Sequence, residues 1–127
     1  MPGLLVVRPN EQMFFANADP VCAGILSLLD GHEPAVRTVV LDLELSEGLD
    51  VPSTDALTEL YEELNQSGAT LVLSRVHGPV REILDRSGLI QRIGEERIYR
   101  RTISAVNAMT KAGGPPREYP GRGGSQV

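Results

Sequence analysis

Two segments of the sequence carry polar side chains that suit the binding of an anion. The first is Asp50-Val51-Pro52-Ser53-Thr54, and the second is Ser74-Arg75-Val76-His77-Gly78-Pro79. An arginine can bind a phosphate group through two parallel hydrogen bonds, and a histidine can donate a hydrogen bond or titrate near neutral pH. Serine and threonine hydroxyls add further donors, and a glycine allows close approach of the backbone. Both segments are therefore candidate phosphate-binding loops.

Each segment also has a simpler structural interpretation. Asp50 can cap a helix with its carboxylate, with Pro52 in the first turn of that helix. The segment around Arg75 can be an ordinary turn between a strand and a helix, with its arginine and histidine in solvent. A helix amino terminus does offer free N–H groups to a phosphate, but the surroundings of Asp50 are acidic, so a phosphate there needs Mg²⁺ or a nearby arginine. The residues alone leave both interpretations open.

The composition argues against several other kinds of site. The 127 residues include one cysteine, Cys22, and two histidines, which are too few for a dedicated site for a soft metal ion. No Gly-rich loop ending in Gly-Lys-Ser/Thr is present, so a hydrolysing nucleotide site is not expected. The sequence shows no set of nucleophile, base and orienting residue. We therefore expect no enzymatic activity and no metal site.

Charge is distributed unevenly along the chain. Residues 1–74 carry twelve acidic and two basic side chains, whereas residues 75–127 carry ten basic and five acidic side chains. The net charge of −5 and the lack of a basic stripe with interleaved aromatic residues argue against nucleic-acid binding. The basic cluster Arg97, Arg100 and Arg101 suits a solvated edge, or a position beside the anionic headgroups of a bilayer.

Alternating strands and helices must position the two candidate loops. Apolar runs predict strands at residues 4–7, 13–15, 38–43, 70–73 and 97–99. Apolar residues at helical spacing predict helices at about residues 21–29, 56–64, 80–84 and 103–111. This order predicts an α/β fold with a mixed, mostly parallel sheet of about five strands covered by about four helices, the first two strands forming a hairpin. Ligands tend to bind at the carboxyl ends of parallel strands, where both candidate loops fall.

The ordered part of the chain is expected to form one domain. We assign it to residues 1–112, because residues 113–127 are rich in glycine and proline and cannot build a core. Residues 113–127 are therefore predicted to be a disordered tail. The sequence contains no apolar run of the roughly 18 residues that a membrane span needs.

The sequence resembles a STAS domain, the fold shared by the C-terminal regions of sulfate permease (SulP) transporters and by bacterial anti-sigma factor antagonists. The resemblance covers roughly residues 2–112. It rests on these segments in order: Pro2-Gly3-Leu4-Leu5-Val6, Phe14-Phe15-Ala16-Asn17-Ala18, Val39-Val40-Leu41-Asp42, Gly78-Pro79-Val80-Arg81, Arg86-Ser87-Gly88-Leu89 and Ile93-Gly94. The second segment and the helix that begins at Gly78 are more typical of the transporter branch.

The resemblance implies a function in membrane transport. It suggests the cytoplasmic regulatory domain of a bacterial SulP-family sulfate or anion transporter, at the cytoplasmic face of the membrane, with its own transmembrane domain as partner. Such a domain would modulate transport by binding partner proteins or a nucleotide, GTP/GDP or ATP/ADP, with or without Mg²⁺. The nucleotide-binding residues that the resemblance implies are Asp50, Val51, Ser53, Thr54, Ser74, Arg75, His77 and Gly78.

The sequence departs from the antagonist branch at one informative position. Antagonists carry a phosphorylatable serine or threonine one residue after an aspartate at the start of the second helix. Counting back along the helix from Leu64 aligns Asp50 with that aspartate and places Val51 at the phosphoacceptor position. Valine has no hydroxyl, which argues against a switch of that kind. A free-standing antagonist-like signalling module is the alternative hypothesis.

Overall fold

The computed structural model describes residues 3–9, 18–30 and 36–113. Strands and helices alternate along these residues. They are β1 (Leu4–Val7), α1 (Ala18–Asp30), β2 (Thr38–Asp42), α2 (Val51–Gln66), β3 (Thr70–Ser74), α3 (Gly78–Arg86), α4 (Leu89–Ile93), a 3-10 turn (Glu95–Arg97), β4 (Ile98–Tyr99) and α5 (Thr102–Gly113). The predicted α/β fold is confirmed.

The sheet formed by the described residues contains four parallel strands in the order β1-β2-β3-β4. Each strand lies next to the strand that follows it in the sequence, so successive strands are always added at the same edge of the sheet. Because crossover connections between parallel strands are right-handed, α1, α2, α3 and α4 all cover the same face. The predicted hairpin strand at residues 13–15, which would make the sheet mixed, lies outside the described residues.

Side chains of β2 alternate between two apolar layers, as the period of a strand requires. Val39 and Leu41 pack into the larger layer, together with the buried residues of α1 to α4. Val40 points the other way, into a smaller layer that includes Ala105 of α5. The central strand is therefore buried on both faces, which explains why its sequence is apolar at consecutive positions.

The sequence did not predict a separate helix after α3, where the structure has the short helix α4. Gly88 has a φ of +85°, a conformation that glycine adopts without strain, and it turns the chain out of α3 and into α4. Leu89, Ile90 and Ile93 are almost completely buried. Five residues are too few to show a helical period, so these residues gave no separate signal in the sequence.

The last described helix ends next to the predicted domain boundary at residue 112. Helix α5 extends to Gly113, two residues beyond the predicted end, and the rest of the predicted tail lies outside the described residues. Within the described ranges, none of the helices is both long and apolar enough to cross a membrane.

We expect the larger apolar layer to dominate the stability of the domain. Leu57 of α2 is fully buried in it, whereas Leu45 in the β2–α2 loop is 40% exposed. Leu57→Ala should lower the free energy of unfolding by about 2–5 kcal/mol, because it removes buried methyl groups and leaves a cavity. Leu45→Ala is the matched control and should cost well under half as much. Urea denaturation measures both, and equal losses would contradict the assignment of the core.

Candidate functional site

The ends of β2 and β3 place two polar residues side by side. Asp42 pairs in register with Ser74 at the last position of each strand. Both residues continue the side-chain alternation of Val40 and Val72, so they face α5 rather than the larger apolar layer. Both candidate loops leave the sheet at this carboxyl edge.

Asp42, Thr102 and Ser74 form a chain of hydrogen bonds in which Asp42 and Ser74 are buried and Thr102 is half-buried. The hydroxyl of Thr102 donates to Asp42 Oδ2 over 2.8 Å, and it also lies 2.8 Å from Ser74 Oγ. Since a hydroxyl has one proton, which Thr102 gives to the carboxylate, Ser74 must donate to Thr102. Asp42 is only 3% exposed. Its carboxylate lies at the amino end of α5, where the helix dipole favours a negative charge.

Glu44 connects this edge to both neighbouring strand ends. Its carboxylate lies 3.3 Å from the Arg8 guanidinium, which follows β1, and 3.1 Å from the Arg75 guanidinium, which follows β3. The backbone N–H of Glu44 donates to Asp42 Oδ1 over 2.8 Å. The backbone carbonyl of Glu44 accepts a hydrogen bond from Nε2 of His77, which must carry the proton because a carbonyl only accepts.

The second candidate loop is therefore organised around Glu44. Arg75 has a φ of 56°, in the left-handed region, and this residue turns the chain sharply between β3 and α3. Ser74 is completely buried and faces inward. Gly78 begins α3, and a Cβ built there would have open space around it, so no close approach requires a glycine. In this loop, the Arg75 side chain is exposed, whereas His77 is half-buried and bonded to the Glu44 carbonyl.

The first candidate loop contains the predicted helix cap. Asp50 is the N-cap of α2, and its carboxylate accepts a 2.9 Å hydrogen bond from the backbone N–H of Ser53. Pro52 lies in the first turn, and the Thr54 hydroxyl donates to the Asp50 carbonyl. The capping interpretation is confirmed. The Ser53 hydroxyl is buried and, within the described part of the chain, makes no hydrogen bond.

A cleft of about 410 Å³ opens between the start of α2 and the end of α3. Its walls combine apolar, acidic and basic side chains. The lining residues are Leu49, Asp50, Val51, Thr54, Asp55, Ile83, Arg86 and Ser87. Val51 is 73% exposed although it is apolar. Arg86 is the cation that this cleft offers, and its only described ion pair is an exposed one with Glu82 at 3.6 Å.

The predicted site residues thus divide between two places that share no side chain. Asp50, Val51 and Thr54 line the cleft, whereas Arg75 and His77 contact Glu44. Arg86 was not predicted as a site residue, because the spacing of α3 alone does not show that its last turn meets α2. Glu44 was not predicted either, since in the sequence it only adds to the acidic surroundings of Asp50. In the ranges that the structure describes, no group of three or more His, Cys, Asp or Glu side chains is placed to hold a metal ion.

Cys22 does not contribute a reactive thiol. Burial, with smaller contributions from Asp19 and Glu59, raises the pKa of the Cys22 thiol to about 12. Its Sγ donates a weak hydrogen bond to the carbonyl of Ala56. A thiol with such a pKa is protonated at neutral pH, and the thiolate is the form that reacts. Cys22 is therefore a packing residue between α1 and α2.

Comparisons with known proteins agree on one family. The sequence model of the STAS domain matches residues 1–105. A probable sulfate transporter of Mycobacterium tuberculosis is 32% identical over 111 residues, which cover 87% of this chain and 20% of that protein. The chain therefore spans about a fifth of the length of the curated relatives that it matches.

Solved structures support the same fold. A sulfate transporter family protein from Wolinella succinogenes superposes with a TM-score of 0.75 at 29% identity, covering 87% of this chain and 86% of that one. A putative anti-sigma factor antagonist from Thermotoga maritima superposes with a TM-score of 0.69 at 20% identity, covering 85% and 88%. The second likeness shows the fold alone.

We expect the hydrogen bond from Thr102 to the buried Asp42 carboxylate to stabilise the domain. Thr102→Val keeps the shape of the side chain but leaves the carboxylate without this donor, so the free energy of unfolding should fall by about 1–3 kcal/mol. Thr102→Ser keeps the hydroxyl and should cost less than half of that. Urea denaturation distinguishes the two variants. If Thr102→Val costs no more than Thr102→Ser, the hydrogen bond to Asp42 does not stabilise the domain.

Proposed function

This chain belongs to the STAS domain family, and we propose that it acts as the regulatory domain of a SulP-type sulfate or anion transporter. Its curated relatives are named as sulfate transporters, and the chain matches about a fifth of their length, as expected for one domain of a longer protein. In this proposal the domain lies at the cytoplasmic face of the membrane, has no catalytic activity, and acts on the transmembrane domain of the same transporter.

Regulation requires a ligand that binds differently to the transporter states. A ligand with equal affinity for both states shifts no equilibrium, however tightly it binds. We propose that this ligand is a nucleotide, GTP/GDP or ATP/ADP, bound in the cleft between α2 and α3. The observation that carries the proposal is that the amino end of α2 and the Arg86 guanidinium line the same cleft.

The cleft offers separate contacts for each part of a nucleotide. Its volume of about 410 Å³ falls in the common range for small-molecule sites, about 300–1,000 Å³. Leu49, Val51 and Ile83 supply apolar surface for a base. Arg86 can bind a phosphate bidentately, because its ion pair with Glu82 is exposed and therefore weak. The carboxylates of Asp50 and Asp55 oppose a bare phosphate, so Mg²⁺ should strengthen binding.

A partner protein is the alternative ligand for the same surface. Val51 presents an exposed apolar side chain at the position where antagonists carry a hydroxyl. A hydroxyl there would serve a kinase, whereas an exposed valine serves an apolar contact. This favours docking of a partner without phosphorylation, in a transporter or in a free-standing antagonist-like module.

We expect nucleotides to bind in the cleft with an affinity that depends on Arg86. In an amide NMR titration with guanine and adenine nucleotides, signals of residues 50–55 and 83–87 should shift. Arg86→Ala should weaken binding about tenfold or more, because a hydrogen bond to a charged group contributes about 1.5–3 kcal/mol. Arg100→Ala removes one exposed positive charge that does not line the cleft, and it should leave the affinity nearly unchanged.

The second candidate loop is the competing location for the phosphates of a nucleotide. If Arg75→Ala weakens binding more than Arg86→Ala does, the phosphates lie at the second loop and the cleft assignment is wrong. If no amide near the cleft or the second loop moves at millimolar nucleotide, with or without Mg²⁺, the nucleotide proposal is wrong and the partner-protein alternative gains support.

A further inference from the structure

The Glu44 carboxylate lies between two arginines that come from different strand ends. Arg8 follows β1, Glu44 follows β2 and Arg75 follows β3, so three neighbouring strands contribute one charged group each. Two guanidinium groups that converge on one point normally repel each other, and here a single carboxylate separates them. The two arginines therefore share a single carboxylate of the same chain as their common ion-pair partner.

The backbone of Glu44 is held at both of its polar groups. Its N–H donates to the Asp42 carboxylate, and its carbonyl accepts from His77. These contacts fix the position of the residue, but they do not involve the side chain. The side chain of Glu44 is 33% exposed, so it can rotate towards solvent while the backbone stays in place.

The two arginines do not fully satisfy the hydrogen-bonding capacity of the Glu44 carboxylate. Glu44 Oε1 is buried and lies at ion-pair distance from Arg8, yet it makes no hydrogen bond. The Arg8 and Arg75 contacts to this carboxylate are ion pairs of 3.3 and 3.1 Å, and each guanidinium has five N–H donors. The side chains of Arg8 and Arg75 are about half exposed, so a ligand from solvent can reach them.

We propose that Arg8 and Arg75 form a binding site for a small tetrahedral dianion, such as sulfate or inorganic phosphate, and that Glu44 acts as its internal competitor. A tetrahedral dianion carries more acceptor oxygens and more charge than a carboxylate, so it can use donors of both arginines that Glu44 leaves free. This site shares no residue with the α2–α3 cleft, and the proposal does not depend on nucleotide binding.

The charges that surround the site favour a dianion once Glu44 has moved away. Arg8 and Arg75 then face the ligand, while the His77 Nε2 proton stays engaged by the Glu44 carbonyl. The oxygens of the neighbouring Asp42 carboxylate are engaged by Thr102 and by the Glu44 N–H. With Glu44 in place, a dianion must displace a tethered carboxylate whose effective concentration is in the millimolar range or above. The unmodified domain should therefore bind dianions weakly.

Removing the charge of Glu44 tests this inference directly. Glu44→Gln and Glu44→Ala should each bind sulfate about tenfold more tightly than the unmodified domain, measured by amide NMR titration at constant ionic strength. The amides of residues 8, 44 and 75–77 should shift. Glu62→Gln is the matched control, since it frees Arg92 from a similar half-exposed ion pair of 3.1 Å. This control should not tighten sulfate binding. Inorganic phosphate, titrated in parallel, should behave like sulfate.

The contribution of each arginine to sulfate binding is then tested in the Glu44→Ala variant, which lacks the competing carboxylate. Adding Arg8→Gln or Arg75→Gln to Glu44→Ala should abolish the gain, and adding Arg86→Ala should not. The proposal is overturned if both Glu44 variants bind like the unmodified domain, if Glu62→Gln gives the same gain, or if the gain survives loss of either arginine. Amide spectra of each variant, compared with that of the unmodified domain, confirm that the fold is intact. Failure of nucleotide binding in the cleft leaves these outcomes unchanged.

Discussion

The burial of one carboxylate organises the carboxyl edge of this sheet. Asp42 ends β2 on the face that α5 covers, where an unpaired charge would cost several kcal/mol. Its two oxygens are satisfied by a backbone N–H two residues later and by the first residue of α5. The same carboxylate therefore fixes both the start of the β2–α2 loop and the start of α5. Glu44 and Thr102, which are far apart in the sequence, therefore both bind the same buried carboxylate.

The single direction of the strand order separates the α2–α3 cleft from the contacts of Glu44. Since every crossover helix lies on one face, the cleft between α2 and α3 forms on that side. The contacts of Glu44 instead run along the edge of the sheet, from the end of β1 to the end of β3. The parallel register thus produces a cleft lined by helices and a charged cluster at the strand ends, with different side chains in each place.

The sequence was sufficient to predict the elements and where the candidate loops leave the sheet. Apolar runs and helical spacing act locally, and parallel strands bring their carboxyl ends together by geometry alone. The cap at Asp50 was predictable for the same reason, because it acts within one turn. The contacts of the edge site were not predictable. Thr102 reaches Asp42 across 60 positions and His77 reaches Glu44 across 33, and such contacts depend on register and rotamers that no local pattern encodes.

The short chain between Glu44 and Asp50 gives a physical reason for the two sites to influence each other. Glu44 is held by the edge of the sheet, and Asp50 holds the first turn of α2, so the five residues between them connect one site to the other. An anion at the two arginines would release the ion pairs of the Glu44 side chain at one end of this segment, while the backbone hydrogen bonds of Glu44 stay in place. A ligand in the cleft changes what holds it at the other. Since coupling between two binding sites is reciprocal, each ligand must alter the affinity for the other by the same factor, if it alters it at all. A domain that carries both sites would then respond to the combination of two anions rather than to either one alone.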